Sequence, residues 1–394
     1  MVVEAMIRNN VCMNAHPTGC DRYVQEQIDY VKSAGPISGP VHALVIGSSA
    51  GYGLSSRIVA AFGAGAGTIG VAFETPAKGS RTASVGWYND RAFLQAVDAW
   101  EPDGSGAGKH RTFLGDAFSH AMKRDVIAAI KEMFGTVDLV VYSLASGLRF
   151  DPDTGERYTS VLKPLERSYS SITLDGKTGT LVEASIEPAT EDEAAATVKV
   201  MGGEDWELWI RALQEAGVLA DGAKTVAYSY IGPEITFPLY RDGTIGRAKE
   251  HLEATAGKLT GMLAPQHGVA YVSVNKALVT RASSVIPAVP LYLAILYRVM
   301  KKKGIHEETI QQAYRLFGER LYTGGAPLLD GDGRIRIDDW EMRADVQSEV
   351  LEAWNKVTPD NVGTLADIHG FQQAFLNIHG FGFEEIDYTV DVEV

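Results

Sequence analysis

The sequence predicts an α/β protein: a Rossmann-like, doubly wound parallel sheet with a loop and hairpin insertion and a helical C-terminal extension. Two observations predict it. An apolar stretch, Ala43-Leu44-Val45-Ile46, breaks into Gly47-Ser48-Ser49-Ala50-Gly51-Tyr52-Gly53 and restarts as a helix-like run at Leu54. Such a strand–glycine–helix transition brings backbone N–H groups and a helix N-terminus against a diphosphate. Short apolar, β-branched runs also recur at 43–46, 69–73 and 137–142, with helical segments such as 116–134 between them. Continuous apolar strands alternating with helices imply a parallel sheet covered on both faces.

A fourth strand is expected around 225–230 and a fifth at 269–274. From Asp151 to about Ile186, Asp-Pro, Thr-Gly and Asp-Gly pairs punctuate short alternating stretches, which reads as the insertion. From about residue 284 the chain turns mostly helical. The whole of 1–394 reads as one large NAD-binding reductase domain rather than two units.

Bulk composition narrows the partners. A net charge of −14 with no basic run beyond Lys301-Lys302-Lys303 excludes a nucleic-acid surface. The longest apolar run, 285–300, carries Pro287, Pro290 and Arg298 and falls short of a bilayer span. Two cysteines, Cys12 and Cys20, form neither a disulfide framework nor a zinc pattern. With no secretory n-region or h-region at Met1-Val2-Val3-Glu4-Ala5, a cytoplasmic location is expected.

The glycines follow the G-x3-G-x-G spacing of short-chain dehydrogenases and reductases. The second strand ends at Phe73-Glu74. A carboxylate there is placed to accept hydrogen bonds from the adenosine ribose and to repel a 2′-phosphate, which favours NADH over NADPH. Lys78 and Arg81 stand nearby as possible phosphate partners. Gly115-Asp116-Ala117 precedes a helix, so Asp116 is an adenine contact, that helix's N-cap, or both. Ser143-Leu144-Ala145-Ser146-Gly147 follows the third apolar run, where small residues let a nicotinamide pass close to backbone.

A reductase of this fold needs a phenol to donate a proton and a lysine to hold the nicotinamide ribose. Three pairs offer themselves: Tyr240 with Lys249, Tyr292 with Lys301, and Tyr297 with Lys301. Tyr292 and Tyr297 sit in an apolar helix, where aromatic residues read as core. Tyr240 follows a loop with Gly232-Pro233 and Pro238, and Lys249 lies on the next helix. That context selects Tyr240 and Lys249, the lysine expected to lower the tyrosine's pKa, with Tyr230 as the second hydroxyl facing the pocket.

With these residues in view, the chain resembles the trans-2-enoyl-CoA reductase and FabV-type enoyl-ACP reductase family, a branch of the short-chain reductases with a Y-x8-K pair. The resemblance runs through Asn14-Ala15-His16-Pro17, Gly86-Trp87-Tyr88-Asn89, Val200-Met201-Gly202-Gly203-Glu204-Asp205-Trp206, Asn275-Lys276-Ala277-Leu278-Val279-Thr280 and Ile335-Arg336-Ile337-Asp338-Asp339-Trp340-Glu341. It implies NADH-dependent reduction of the C2=C3 bond of a trans-2-enoyl thioester by a monomer, enoyl-CoA being preferred over enoyl-ACP. It implies cofactor contacts at Gly47, Ser48, Ser49, Ala50, Gly51, Tyr52, Phe73, Glu74, Asp116, Ala117, Leu144, Ala145, Lys249, Leu278, Val279 and Thr280. It also implies Tyr240 as proton donor and Tyr230 as a substrate contact. Gly147, where the family carries proline, and the Gly-rich stretch 101–109 depart from the pattern.

Competing readings are a carbonyl-reducing short-chain dehydrogenase built on Tyr297 and Lys301, and a regulator that binds NADH without chemistry. The stretch from Asp330 to Glu341 mimics a calcium loop, but Arg334 and Ile335 occupy positions that need an oxygen ligand and a glycine. It reads as a hairpin turn, and no metal site is expected. His16 reads as a hydrogen-bonded structural residue. The segment from Ile286 to Leu293 is expected to wall an acyl pocket, with Ala294 as a point where added bulk shortens it.

Overall fold

In a computed structural model of the chain, described for all residues except 9–10, 101–107, 176, 284–285 and 287–288, seven strands form one parallel sheet. They are β1 (His42–Ile46), β2 (Gly67–Ala72), β3 (His110–Leu114), β4 (Val137–Tyr142), β5 (Leu219–Ser229), β6 (Val269–Val274) and β7 (Ile335–Arg336). Their spatial order is β3-β2-β1-β4-β5-β6-β7. The order reverses beside β1, and in such sheets ligands bind where that reversal opens a crevice at the strand C-termini.

Alternation along each strand divides the core. Ala43 and Val45 of β1, with Leu139 and Val141 of β4, face α1 (Pro17–Ala34), α2 (Gly51–Ile58), α3 (Val85–Trp100) and, later in the chain, 309–316. Leu44, Ile46, Val140 and Tyr142 face the opposite layer. That layer is α4 (His120–Met133), α6 (Glu204–Glu215), which follows α5 (Glu191–Met201), and α7 (Thr244–Leu263). Near-continuous apolar strands are what burial on both faces requires.

Two hairpins, Leu148–Phe150 with Arg157–Thr159 and Tyr169–Leu174 with Leu181–Ile186, lie between β4 and α5. The C-terminal part supplies α8 (Val289–Lys302), α9 (Thr309–Leu316), α10 (Ala344–Lys356), α11 (Val362–Leu365) and α12 (Ile368–Asn377). Helix α8 is buried from Val289 through Tyr297, which accounts for its all-round apolar sequence. With Leu174 of the second hairpin and residues of α10 and α12 it makes a third core at the strand C-termini.

Three local expectations are corrected. The helix expected from residue 116 begins at His120, capped by Ser119, whose hydroxyl accepts the Met122 N–H at 3.1 Å. The Asp116 carboxylate instead accepts the Phe118 N–H at 2.9 Å, closing a turn before the helix. The hairpin turn expected in 330–341 is confined to 330–334, where the Asp330 N–H donates to the Arg334 carbonyl at 2.9 Å, and no hairpin strand follows it. Asp330 folds back on Arg334, and β7 then joins β6 in parallel as the sheet's edge. No cluster of metal-ligating side chains occurs among the described residues. His16 is the N-cap of α1, its Nδ1 accepting the Gly19 N–H at 3.2 Å. Among the described residues no helix is long and apolar enough to cross a membrane.

Candidate active site

The glycine loop leaves β1 at the point where the sheet order reverses. Gly47 has φ +87°, and a Cβ there would collide with the Ser143 carbonyl at the end of β4. Gly53 lies against the Gly47 carbonyl with no room for a side chain, so α2 packs directly on the loop. Ala50, the N-cap of α2, has no capping oxygen, which leaves the first-turn N–H groups without a side-chain partner. Asn89 donates to the Ser49 carbonyl at 3.0 Å and holds the loop from α3.

Opposite that loop stand Val279, Thr280 and Arg281, and these residues with Ala50, Gly51, Asn89, Tyr23 and Ile378 line one cleft. Backbone donors, a helix N-terminus and a cation around a cleft suit the diphosphate of a dinucleotide. Glu74, just past β2, accepts from the Ser49 hydroxyl at 2.7 Å and lies 3.5 Å from Arg281. It is therefore fixed beside the loop. Lys78 and Arg81, considered above as phosphate partners, close a tight backbone turn on each other, and Arg281 is the cation at Glu74. Phe73 is exposed, Leu144 half-buried, and Ala117 buried.

Tyr230 follows the last residue of β5, and Tyr240 ends the loop after it. Their rings meet edge to face, with centroids 4.8 Å apart. Tyr240 borders a small apolar cavity whose other walls are Tyr169, Ile235, Thr236, Leu239, Val289, Tyr292 and Trp354. Lys249, one turn into α7, is half-buried and donates to the Tyr228 carbonyl at 2.7 Å. Burial lowers its pKa to about 8, with Glu253 acting in the opposite sense. The expected lowering of the tyrosine is not seen: burial, and then the charge of Glu341, push Tyr240 up. It stays a protonated donor through the neutral range.

The other two pairs do not form a donor–lysine site, although the Lys301 ammonium lies over the Tyr297 ring, 5.3 Å from its centroid. Tyr297 is buried and accepts the Val279 N–H at 3.1 Å, while Lys301 pairs with Asp367 at 2.8 Å. Tyr297 thus fastens the backbone on which Leu278, Val279 and Thr280 lie. Tyr292, read as core, does reach the cavity wall, and its hydroxyl donates to Glu341 at 2.5 Å. Glu341, Tyr169 and Trp354 were missed by sequence reasoning. The run ending at Glu341 stands out in the sequence, but its carboxylate reaches the site only through the β6–β7 pairing. Of the expected acyl wall, Pro287 and Ala288 lie outside the described residues, as does 101–107 of the Gly-rich stretch. Val289 and Tyr292 line the cavity, and Ala294 does not.

Comparison with known proteins assigns the family. Residues 81–322 match the sequence model described as trans-2-enoyl-CoA reductase catalytic region, and residues 2–79 match the NAD(P)H binding domain of trans-2-enoyl-CoA reductase. The chain belongs to the trans-2-enoyl-CoA reductase family. Within that family it is 52% identical over 393 residues to an enoyl-[acyl-carrier-protein] reductase [NADH] of Cytophaga hutchinsonii, covering 100% of this chain and 98% of that one. It is 52% identical over 397 residues to a trans-2-enoyl-CoA reductase [NADH] of Clostridium perfringens, covering 100% and 99%. The crystal structure of Treponema denticola trans-2-enoyl-CoA reductase in complex with NAD superposes with a TM-score of 0.94 at 50% identity, covering 100% of this chain and 98% of that one.

A third family model, over residues 329–392, is described as an enoyl reductase FAD binding domain. The residues present do not fit a flavin. Ile335, Ile337, Val346, Val350, Phe371 and Phe375 are packed into the cores. The buried acids Asp338 and Glu341 are already paired, with Arg336 and with Tyr292 and Ala277. This segment acts as packing and as the source of two buried carboxylates.

Proposed function

We propose that this chain reduces the C2=C3 double bond of trans-2-enoyl thioesters with NADH, enoyl-CoA being the preferred substrate and Tyr240 the proton donor. The observation that carries the reading is Tyr240 itself: a protonated phenol on the wall of an apolar cavity at the strand C-termini, in a family member matched along its whole length. When bound, NADH supplies the hydride equivalent.

The chain's own residues do the rest. The glycine loop, Asn89 and Arg281 receive the diphosphate, and Glu74 receives the adenosine ribose and repels a 2′-phosphate. Lys249 holds the nicotinamide ribose, and Tyr297 fixes Val279 on the nicotinamide side. Tyr240 donates to the thioester oxygen as negative charge develops there, with Tyr230 beside it. The apolar walls take the acyl chain and exclude water from the reacting bond.

A second reading, an enoyl-ACP reductase, has specific support because the Cytophaga relative of that name is as similar as the Clostridium one. The proposal of a cytoplasmic monomer rests on free Cys12 and Cys20 and on both clefts lying within one chain. The deciding experiment compares kcat/KM for crotonyl-CoA, dodecenoyl-CoA and the matching enoyl-ACPs by NADH oxidation. Turnover of crotonyl-CoA above the ACP substrates is expected. Preference for ACP would overturn the carrier assignment, and no turnover with any of them would overturn the reaction.

A further inference from the structure

Beneath the cavity lies a carboxylate that the reaction as described does not use. Glu341 is fully buried. Its Oε1 accepts from the Tyr292 hydroxyl at 2.5 Å and from the Tyr230 hydroxyl at 3.2 Å, and its Oε2 accepts the Ala277 N–H at 2.7 Å. The backbone that carries it is tied to the sheet, with the Ile337 and Asp338 N–H groups both donating to the Val274 carbonyl at the end of β6. Gln347 fixes it from α10 by donating to the Glu341 carbonyl at 2.7 Å.

Three donors on one buried carboxylate could be purely structural, but the partners argue otherwise. One is the hydroxyl of Tyr230, whose ring packs edge to face on Tyr240. Another is the N–H immediately before Leu278, Val279 and Thr280, the run facing the glycine loop. No cation is hydrogen-bonded to the acid: Lys276, the nearest candidate, donates to the Ala277 carbonyl at 3.0 Å. Asp338, Lys276, Tyr230, Tyr240, Tyr292 and Tyr52 are the titratable groups that face it. A buried acid without a salt-bridge partner is costly to keep for packing alone.

We propose that Glu341 is a positioning residue of the reductase site. It sets the direction of the Tyr230 hydroxyl and ties it, through Ala277, to the nicotinamide-side backbone. This rests on the assignment of Tyr230 and Tyr240 above. An ionised carboxylate is acceptor only, so it takes the Tyr230 hydrogen and fixes the orientation of that hydroxyl and of the ring that packs on Tyr240. Tyr240 is then the donor to the thioester oxygen and Tyr230 its aligned neighbour. Burial raises the pKa of Glu341, so a neutral form, which would donate to Tyr230 and loosen that hydroxyl's orientation, lies closer to hand than for an exposed acid.

The test is a double-mutant cycle in the full chain with crotonyl-CoA and NADH, using E341Q, Y230F and the pair. The glutamine keeps an oxygen for Ala277, so the NADH Kd, read by fluorescence, is expected to stay within about three-fold of the unmutated protein, with kcat falling about ten-fold or more. In the Y230F background E341Q should cost almost nothing more, because its effect passes through that hydroxyl. E341A, which also strips the acceptor from Ala277, should weaken NADH as well. Additive losses from E341Q and Y230F, or an E341Q enzyme with unchanged kcat, would overturn the proposal while turnover by the unmutated protein stands. If the unmutated protein reduces no enoyl thioester, the reading of the site falls and this role falls with it.

Discussion

The rings of Tyr230 and Tyr240 meet edge to face at 77°, one closing β5 and the other closing the loop that follows it. Edge-to-face contact fixes each ring against the other, so the Tyr240 hydroxyl is held at the cavity rather than sampling it. Y240F removes the donor and leaves the ring contact in place. Steady-state assays with crotonyl-CoA should show a loss of about 10²–10⁴-fold in kcat, the range for general acid catalysis, with melting temperature nearly unchanged. Y297F should do the reverse, leaving the buried Val279 N–H without an acceptor at a cost of about 1–3 kcal/mol in stability. The opposite pattern would return the chemistry to Tyr297.

Much of this site was legible because its parts are local. The glycine loop and the strands flanking it are short-range patterns, and Tyr240 is proposed as donor from its place after a strand and a Gly-Pro loop. What stayed hidden depends on long-range pairing. Strand β3 reads His110-Arg111-Thr112-Phe113-Leu114, half-exposed at the edge of the sheet, so it lacks the apolar run of its neighbours. Strand β7 is two residues long. Yet β7 places Glu341 under Tyr230, a contact spanning 111 residues that no periodicity announces. Tyr292 is core, as the sequence reads it, and also borders the cavity, a contact that an all-apolar helix does not announce.

Cofactor choice turns on Glu74, which Ser49 and Arg281 hold beside the glycine loop. E74A removes a negative charge and frees Arg281 to meet a 2′-phosphate. The ratio of kcat/KM for NADH over NADPH should fall about ten-fold or more, as for loss of one close charge repulsion. Adding R281A should take back the gain with NADPH. Equal use of the two cofactors by the unmutated protein would defeat the assignment.

Lys249 gives the site a pH dependence. Its ammonium has a pKa lowered to about 8. It is charged below that value and loses its charge as pH rises through it. Fluorescence titration should therefore show NADH binding weakening from about pH 7 to about pH 9, across this pKa. K249R stays protonated throughout and should lack that limb, whatever its affinity. Lys276 is also lowered to about 8 by burial, and a limb that survives in K249R would assign the titration to it.

Chain length should be read by Trp354 rather than by Ala294. The sequence placed the acyl wall on α8, and Val289 and Tyr292 do line the cavity. Ala294, however, is fully buried and its carbonyl accepts the Asp367 N–H, so it faces packed protein. A294F overpacks that core, and the expected result is a loss of about 1–3 kcal/mol in stability with activity on short and long substrates lowered alike. Trp354 comes from α10 and lines the cavity with Tyr169 and Tyr240, so its indole is expected to limit the length of an acyl chain. W354A opens that end. The ratio of kcat/KM for dodecenoyl-CoA over crotonyl-CoA should rise about ten-fold, in line with the 1–3 kcal/mol that hydrophobic pockets discriminate. An unchanged ratio in W354A, with A294F lowering long-chain activity selectively, would move the wall back to α8.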